Sequence, residues 1–222
     1  MTLPLDRRIG HHRDEEPHEE YGGLQRHRRF DRHRRIGQYE TGEAACPVRI
    51  ATETAGPFPG ERSMGPNVLQ VTGVVRNDIR TSFGTLSGTA AGIPITIALT
   101  LVSATSCAPL ANRAVYVWHC DRAGLYSLFS AGATNQNDRR GVAATDANGQ
   151  VSFTPFFPAC YPERWPHIHF KVFTSLATAT NVANKLAPSQ IALPKATCDR
   201  VDATTGYSQS ISFQSFADRP RH

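Results

Sequence analysis

Short segments rich in β-branched and aromatic residues, separated by turns rich in glycine, proline, asparagine and aspartate, most strongly constrain the fold of this 222-residue chain. Such segments favour strands, and five of them are VLQVTGVV (68–75), IPITIALTLV (93–102), RAVYVWH (113–119), QVSFT (150–154) and HIHFKVF (167–173). Asp146-Ala-Asn-Gly149 predicts a hairpin turn between GVAAT and QVSFT. Only residues 175–186 predict a helix, which would begin at Ser175 as its N-terminal cap. Many short strands with little helix predict an all-β sandwich or barrel.

The distribution of charge divides the chain at about residue 45. Residues 1–45 carry nine Lys/Arg, nine Asp/Glu and five of the nine histidines, and they have almost no apolar periodicity. A segment of this composition buries too little apolar surface to offset the entropy of ordering, so we expect a disordered charged tail. The remaining residues, 46–222, are long enough for one domain with a sizeable core.

The net charge of +5 arises from residues 46–222, where basic side chains are scattered and not concentrated on one element. Scattered basic charge does not predict a nucleic-acid partner. No segment approaches the roughly 20 apolar residues that span a bilayer. Arg7-Arg8 is not followed by an apolar segment, so no signal peptide is recognisable.

The sharpest local motif is His167-Ile168-His169. On a strand, residues two apart point to the same face, with Cα atoms about 6.5–7 Å apart. Two imidazoles can therefore bind one metal ion, while Ile168 points into the core on the other side. The pair alone is compatible with zinc, copper or Fe(II), or with two histidines that are only hydrogen-bonded.

Two tyrosines occupy distinctive positions near this motif. Tyr161 precedes His167 by six residues on a proline-bounded segment, and Tyr126 follows the predicted strand at 113–119. A tyrosine has a pKa near 10 and binds as phenolate only to a strong Lewis acid. Two phenolates and two neutral imidazoles suit Fe(III) better than Zn(II) or Fe(II), whereas either tyrosine alone is compatible with packing at the rim of the core.

The segments YPERWPHIHFKV and PLANRAVYVWHCDRAGLYS resemble the two signature segments of the intradiol ring-cleavage dioxygenases. This family includes the catechol 1,2- and protocatechuate 3,4-dioxygenases. The sequence is most similar to those of its stand-alone bacterial members. The resemblance extends from about Cys46 to Tyr207 and implies a single β-sandwich domain. It also implies a catecholic substrate, O₂ as co-substrate, and homodimers, which are common among relatives.

The resemblance implies a role for each matching residue. Tyr126 and His167 would be equatorial ligands, and Tyr161 and His169 axial ligands, of one non-haem Fe(III) per chain. Tyr161 would also accept a substrate proton, and Arg164 would lie beside the substrate ring. Gln190 corresponds to a family glutamine near the ring. The segment Ala55-Gly56-Pro57-Phe58 resembles one that lines the substrate pocket in the family.

The five cysteines show no CxxC spacing, which argues against a zinc site. In the intradiol-like subgroup, Cys107 with Cys120 and Cys160 with Cys198 resemble paired cysteines, which implies two disulfides and leaves Cys46 free. Paired cysteines would favour an extracytoplasmic location, although the sequence leaves the compartment open. Relatives generally continue for further strands beyond the segment that matches TTGYSQS, so one edge of the sandwich is expected to lack a partner.

Two alternatives belong to other classes. The first is a non-catalytic β-sandwich module that binds aromatics or carbohydrate, against which the full set of four ligands and Arg164 argues. The second is a cupin-type Fe(II) oxygenase, which would need a carboxylate and a third histidine on strands. His119 is the only candidate for that histidine in the core.

Overall fold

An antiparallel sheet of four strands forms the centre of the part of the chain that the structure describes, residues 49–62, 65–162, 164–208 and 210. In this computed structural model the elements are β1 (Ile97–Thr100), β2 (Ala114–Trp118), β3 (Arg140–Ala144), β4 (Gln150–Phe153), β5 (His167–Phe173), β6 (Lys185–Ala192) and the helix α1 (Lys195–Asp202). The large sheet has the order β3-β2-β5-β6, and β1 pairs antiparallel with β4 in a second sheet. The predicted all-β class is confirmed.

The large sheet separates two packed layers. Val115 of β2 and Ile168 of β5 face a layer that also contains Phe153 of β4. Tyr116 of β2 points to the opposite side and packs in a layer with Tyr126. Strand β2 is buried at every position because both of its faces are covered, and the side chains of β5 alternate between the same two layers.

The predicted strand at 68–75 is wrong. Val68–Gln70 forms a short 3₁₀ helix instead, whose cap Asn67 accepts a hydrogen bond from the backbone N–H of Leu69. Gly73 then takes a φ of +96°, and only Val75 forms an isolated bridge to β3. A local cap and a glycine turn therefore override the strand propensity of this segment.

Two other predicted elements differ from the observed ones where the expected backbone hydrogen bonds are not formed. The predicted strand at 93–102 shortens to β1, and Pro94 makes only an isolated bridge. The predicted helix at 175–186 is wrong, because Asn181 adopts an extended conformation and divides it into two 3₁₀ turns. Strand β6 begins directly afterwards. The structure therefore adds β6 and α1, neither of which the sequence predicted.

The predicted turn at Asp146–Gly149 is present. The Asp146 side chain accepts hydrogen bonds from the backbone N–H groups of Asn148 and Gln150, both at 2.8 Å. The strands on either side enter different sheets, however, since β3 pairs with β2 and β4 pairs with β1. The turn is therefore a crossing between the two sheets and not the tip of a two-stranded hairpin.

The two disulfides that the resemblance implied are wrong. Cys120, Cys160 and Cys198 are buried thiols outside any disulfide, and each donates to a backbone carbonyl, for example Cys120 to Ala159 at 3.1 Å. Cys107 is disulfide-bonded, but to none of these three. The predicted pairings therefore give no support for an extracytoplasmic location.

Other expectations fall on residues outside the described ranges. These are the charged tail at 1–45 and the free Cys46. Among the residues that are described, no helix is long and apolar enough to cross a bilayer.

Candidate metal and substrate site

The two histidines of β5 point to the same side of the large sheet and meet at their ring nitrogens. His167 and His169 are buried, and their Nε2 atoms lie 2.9 Å apart. Ile168, between them in sequence, enters the opposite apolar layer. The alternation of the strand therefore brings the imidazoles together as the HIH motif predicted.

Both tyrosines reach this pair of nitrogens from loops. The Oη atom of Tyr161 lies 3.3 Å from Nε2 of His167, and the Oη atom of Tyr126 lies 3.2 Å from Nε2 of His169. The two tyrosine rings meet edge to face with centroids 5.6 Å apart. Two oxygens and two nitrogens thus converge on one point.

The loops that carry the tyrosines are fixed by backbone constraints. Gly124 has a φ of +76°, and a Cβ atom there would lie 2.9 Å from the carbonyl oxygen of Cys160. The two loops can therefore approach closely only with glycine at this position. On the other side, the buried Arg140 guanidinium donates to Oγ of Ser127 at 3.0 Å and to its carbonyl oxygen at 2.9 Å, which secures the residue after Tyr126.

The protonation states of the imidazoles suit metal binding. Burial lowers the pKa of His167 to about 4 and that of His169 to about 2, so both rings are neutral at neutral pH. Nδ1 of His167 lies 2.6 Å from the carbonyl oxygen of Trp165, which can only accept. This contact places the ring proton on Nδ1 and leaves the Nε2 lone pair directed at the site.

The pKa values of the two tyrosines are shifted in the opposite direction from those of the histidines. Burial raises the pKa of Tyr126 well above its ordinary value. Burial also raises the pKa of Tyr161, whereas the Arg164 guanidinium partly opposes that rise. Neither phenol would ionise at neutral pH without a strong positive charge at the point where the four donor atoms converge.

Arg164 and Gln190 lie beside this centre and contact each other. An Arg164 N–H donates to Oε1 of Gln190, and Gln190 stands opposite His169 in the β5–β6 ladder. The amide nitrogen of Gln190 donates to the carbonyl oxygen of Thr54 at 2.7 Å. Both polar ends of the Gln190 side chain are therefore engaged by protein groups.

The segment at 55–58 also reaches the site. Gly56 has a φ of +66°, and a Cβ atom there would lie 3.0 Å from Cε1 of His169. The ring of Phe58 lies 4.7 Å from that of Tyr126, measured between centroids. The structure thus brings this segment against His169 and Tyr126, two of the four side chains that the sequence singled out.

Within the described part of the chain, the alternative metal sites lack a full set of ligands. Across the described ranges, no three side chains of the types His, Cys, Asp and Glu come together as a metal site. The third histidine that a cupin-type site needs is therefore missing from this part of the chain, and Nδ1 of His119 lies 2.7 Å from the carbonyl oxygen of Cys120. Among the described residues, the side-chain oxygens in contact with the His167–His169 pair are those of Tyr126 and Tyr161.

The sequence alone indicated no role at the site for Trp118, Arg140 or Lys171. In the structure the Trp118 ring stacks on His169 with centroids 4.8 Å apart. The ammonium group of Lys171 lies 5.5 Å from the centre of the same indole and is paired with Glu61. The period of two along β5, which places Lys171 on the face of the histidines, was the signal that could have indicated this cluster.

Comparison with known proteins identifies the family. A family model described as Dioxygenase matches residues 65–184, more than half of the chain. The chain belongs to the intradiol ring-cleavage dioxygenases. Members of this family are oxidoreductases that generally depend on non-haem iron and act on catecholic substrates with O₂.

Several solved structures are similar to the chain. An intradiol ring-cleavage dioxygenase from Tetranychus urticae is 25% identical and superimposes with a TM-score of 0.52, covering 67% of this chain and 68% of that one. The dioxygenase domain of a dioxygenase carbohydrate-binding protein fusion from Streptomyces sp. SirexAA-E is 20% identical, with a TM-score of 0.45 and coverage of 69% and 80%. For catechol 1,2-dioxygenase from Acinetobacter sp. ADP1 the values are 23%, 0.44, 65% and 46%. No curated protein matches the chain.

Proposed function

We propose that this chain is an iron-dependent intradiol dioxygenase that cleaves a catecholic ring with O₂. The observation that carries the proposal is the convergence of Tyr126, Tyr161, His167 and His169, whose neighbouring donor atoms lie 2.9–3.3 Å apart. Four such atoms around one metal ion at about 2.0–2.1 Å would have neighbour distances of this order. The proposal extends the family membership to an activity of this particular chain.

The donor set fits Fe(III). Two phenol oxygens are hard donors that contribute two negative charges once deprotonated, and two neutral imidazoles complete the set. These four residues would hold a ferric ion, which would supply a Lewis acid for both catecholate oxygens and withdraw electron density from the ring. The elevated phenol pKa values are compatible with this assignment, because the ion would provide the positive charge that burial makes necessary.

Tyr161 is the side chain best placed to move a proton. It is only half-buried, whereas Tyr126 is buried, and its loop carries it at the rim of the site. Its phenolate oxygen would accept one proton from the incoming catechol. Tyr126, enclosed by Phe58 at 4.7 Å, would stay in place and exclude water from the inner side of the site.

Arg164 would bind and orient the substrate. Its guanidinium is held by Gln190, which is fixed in turn by the carbonyl oxygen of Thr54. A rigid cation at this position stabilises negative charge that develops on the ring during reaction with O₂. Because both polar ends of Gln190 bind protein groups, we assign Gln190 to positioning Arg164 and not to direct contact with the substrate.

The overall reaction balances without an external reductant. A catechol and one O₂ would give a cis,cis-muconate-type product, in which the bond between the two oxygenated carbons is broken and both oxygen atoms are incorporated. The structure contains no observation that favours the alternative, a non-catalytic module for aromatics or carbohydrate.

The test is the visible spectrum of the protein loaded with ferric iron, recorded before and after catechol is added without oxygen. We expect a reddish phenolate-to-iron band that shifts with catechol, followed after exposure to O₂ by a product heavier by both oxygen atoms. A protein that remains colourless after loading would contradict the proposed ligand set. A band that does not respond to any catechol would leave the iron site in place and contradict the proposed substrate.

The matched control is Tyr207→Phe. Tyr207 is as buried as Tyr126 and donates its hydroxyl to the carbonyl oxygen of Phe157 at 2.9 Å, on the opposite side of the large sheet. Its removal should leave the band unchanged. A loss of colour in this variant would show that the band depends on general stability and not on the site tyrosines.

A further inference from the structure

The two site histidines are held in different ways. Nδ1 of His167 has a hydrogen-bond partner, the carbonyl oxygen of Trp165 at 2.6 Å. Nδ1 of His169 is buried and has no hydrogen-bond partner among the described residues. A histidine that binds a metal almost always donates its other ring N–H to an acceptor, which fixes the plane of the ring. His169 therefore needs another means of orientation.

The Trp118 ring lies directly against His169. The two rings are parallel within 5°, with centroids 4.8 Å apart, and the two residues are cross-strand partners in the β2–β5 ladder. Parallel stacking over this area restricts rotation of the imidazole about its side-chain bonds. The tryptophan thus takes the place of the missing hydrogen bond.

Gly56 contacts the edge of the same imidazole. A Cβ atom on Gly56 would lie 3.0 Å from Cε1 and 3.5 Å from Nε2 of His169. The backbone therefore approaches the metal-facing edge as closely as glycine permits, in a conformation with positive φ that other residues adopt at a cost. The imidazole is confined by the indole and by this glycine.

The two restraints are joined through Tyr116. The Tyr116 ring stacks on Trp118 with centroids 4.9 Å apart, and its hydroxyl donates to the carbonyl oxygen of Pro59 at 2.7 Å. Pro59 follows Gly56 by three residues. The segment that contacts one edge of His169 is thereby tied to the aromatic stack that contacts its ring.

We propose that Trp118 and Gly56 are positioning residues that fix the imidazole plane of His169 by contact, in place of a hydrogen bond to Nδ1. The inference rests on the proposed function, since it concerns how a ligand of the proposed iron site is oriented. It assigns no chemical step to either residue. It makes His169 the ligand whose geometry depends on aromatic packing.

The first experiment measures how fast a chelator removes iron from the ferric protein, followed by loss of the visible band. Removal of an outer partner of a metal-binding histidine typically weakens metal binding about 10–100-fold. We expect Trp118→Leu and Gly56→Ala to lose iron faster by a factor in that range, and Trp118→Phe to be intermediate. The thermal midpoint of each variant is recorded to follow folding.

The control is Phe157→Leu. Phe157 is equally buried but lies in the apolar layer on the opposite side of the large sheet, against Tyr207. This change removes a core aromatic ring without touching the site. Equal rates of iron loss in Trp118→Leu and Phe157→Leu would overturn the inference, because Trp118 would then contribute only to stability.

A second measurement needs no iron. In the iron-free protein the Trp118 ring current should shield the ring protons of His169, so Trp118→Leu should move their NMR signals downfield, whereas Phe157→Leu should not. Unshifted His169 signals in Trp118→Leu would overturn the inference even if the wild-type protein binds iron. Shifted signals in a protein that never binds iron would support the positioning of the ring and contradict only the proposed function.

Discussion

Nε2 of His167 and Nε2 of His169 lie 2.9 Å apart in a buried site. Two neutral imidazoles at this distance either share one Nε2–H hydrogen bond or direct both lone pairs at a cation. The Nδ1–H group of His167 donates to the Trp165 carbonyl oxygen, and the Tyr126 oxygen lies 3.2 Å from Nε2 of His169. The second arrangement is the one that the proposed iron site requires.

Each histidine should consequently be necessary for iron binding. Loss of an outer partner of a metal-binding histidine weakens metal binding about 10–100-fold. We expect a larger loss of iron affinity in His167→Ala or His169→Ala, because a donor atom itself is removed. Metal analysis after loading and desalting measures this. His119→Gln is the control, since His119 is buried nearby but lies outside the donor set, and it should retain iron. Wild-type iron content in either alanine variant would contradict the ligand assignment.

The two tyrosines should be distinguishable. Tyr161→Phe should keep much of the iron and a weaker band while slowing turnover, because the half-buried Tyr161 is the proposed proton acceptor. Tyr126→Phe should lose more iron, since its oxygen lies at the inner side of the site, 3.2 Å from His169. Spectra and kcat measured on equally loaded samples make the comparison. Unchanged spectrum and kinetics in Tyr161→Phe would remove that residue from the site.

Arg164→Ala should leave the iron and its colour intact while lowering kcat. Loss of one preorganised group that stabilises transition-state charge costs about 10²–10³ in rate, and Arg164→Lys should recover little because the contact to Gln190 depends on a planar guanidinium. Steady-state kinetics with catechol measures the effect. Arg80→Ala, at an exposed arginine paired with Asp78, is the control. A rise in KM with unchanged kcat would mean that Arg164 only binds the substrate.

The site could be predicted from the sequence where one local rule fixes it. The period of two along a strand brings His167 and His169 together, and no tertiary contact is needed to foresee that. Tyr126 and Tyr161 lie on loops, whose positions depend on contacts distant in sequence, such as Gly124 against Cys160 and Arg140 against Ser127. Their positions in the sequence and their donor chemistry suggested the two tyrosines, and the resemblance to a family assigned both of them to the same centre as the histidines.

The missed elements have a similar cause. Strand β6 begins at Lys185 and pairs with β5 over its whole length, although KLAPSQIA has weak strand propensity. Hydrogen bonding to β5 therefore stabilises β6 as a strand, although the residues of β6 do not themselves favour one. Conversely, 68–75 has high propensity but no neighbour that forms a ladder with it. The cysteine pairings were implied by the resemblance to a subgroup, and such a resemblance does not establish which thiols meet in space in this chain.

Acid should destabilise the iron-free protein through its buried histidines. Burial lowers the pKa of His119 from 6.5 to about 3. Between these values the unfolded chain binds a proton that the folded chain does not, so the free energy of unfolding falls as pH decreases, by about 1.4 kcal/mol per pH unit. His119→Gln removes this contribution and should flatten the dependence between pH 6 and 4.

Urea unfolding of the iron-free protein at several pH values measures this effect. The difference between wild type and His119→Gln at pH 7 provides the baseline, because both states of His119 are then largely neutral. Burial also lowers the pKa of His167, so part of the acid sensitivity should remain in the variant. An equal slope in the two proteins would contradict the assignment of a low pKa to His119.

Lys171 and Glu61 form a buried ion pair on the face of β5 that carries the histidines. Lys171→Met should reduce the free energy of unfolding by about 3–5 kcal/mol, because the Glu61 carboxylate loses its ammonium partner in a buried position. The double variant Lys171→Met with Glu61→Gln should recover most of that loss, since both charges of the buried pair are then removed together. The matched control is Lys195→Met, which breaks the exposed pair with Asp199 on α1 and should cost less than about 1 kcal/mol. Urea unfolding of the wild type and the three variants measures these differences. If the double variant is no more stable than Lys171→Met, the loss comes from the packing of the lysine stem against Trp118 and not from charge.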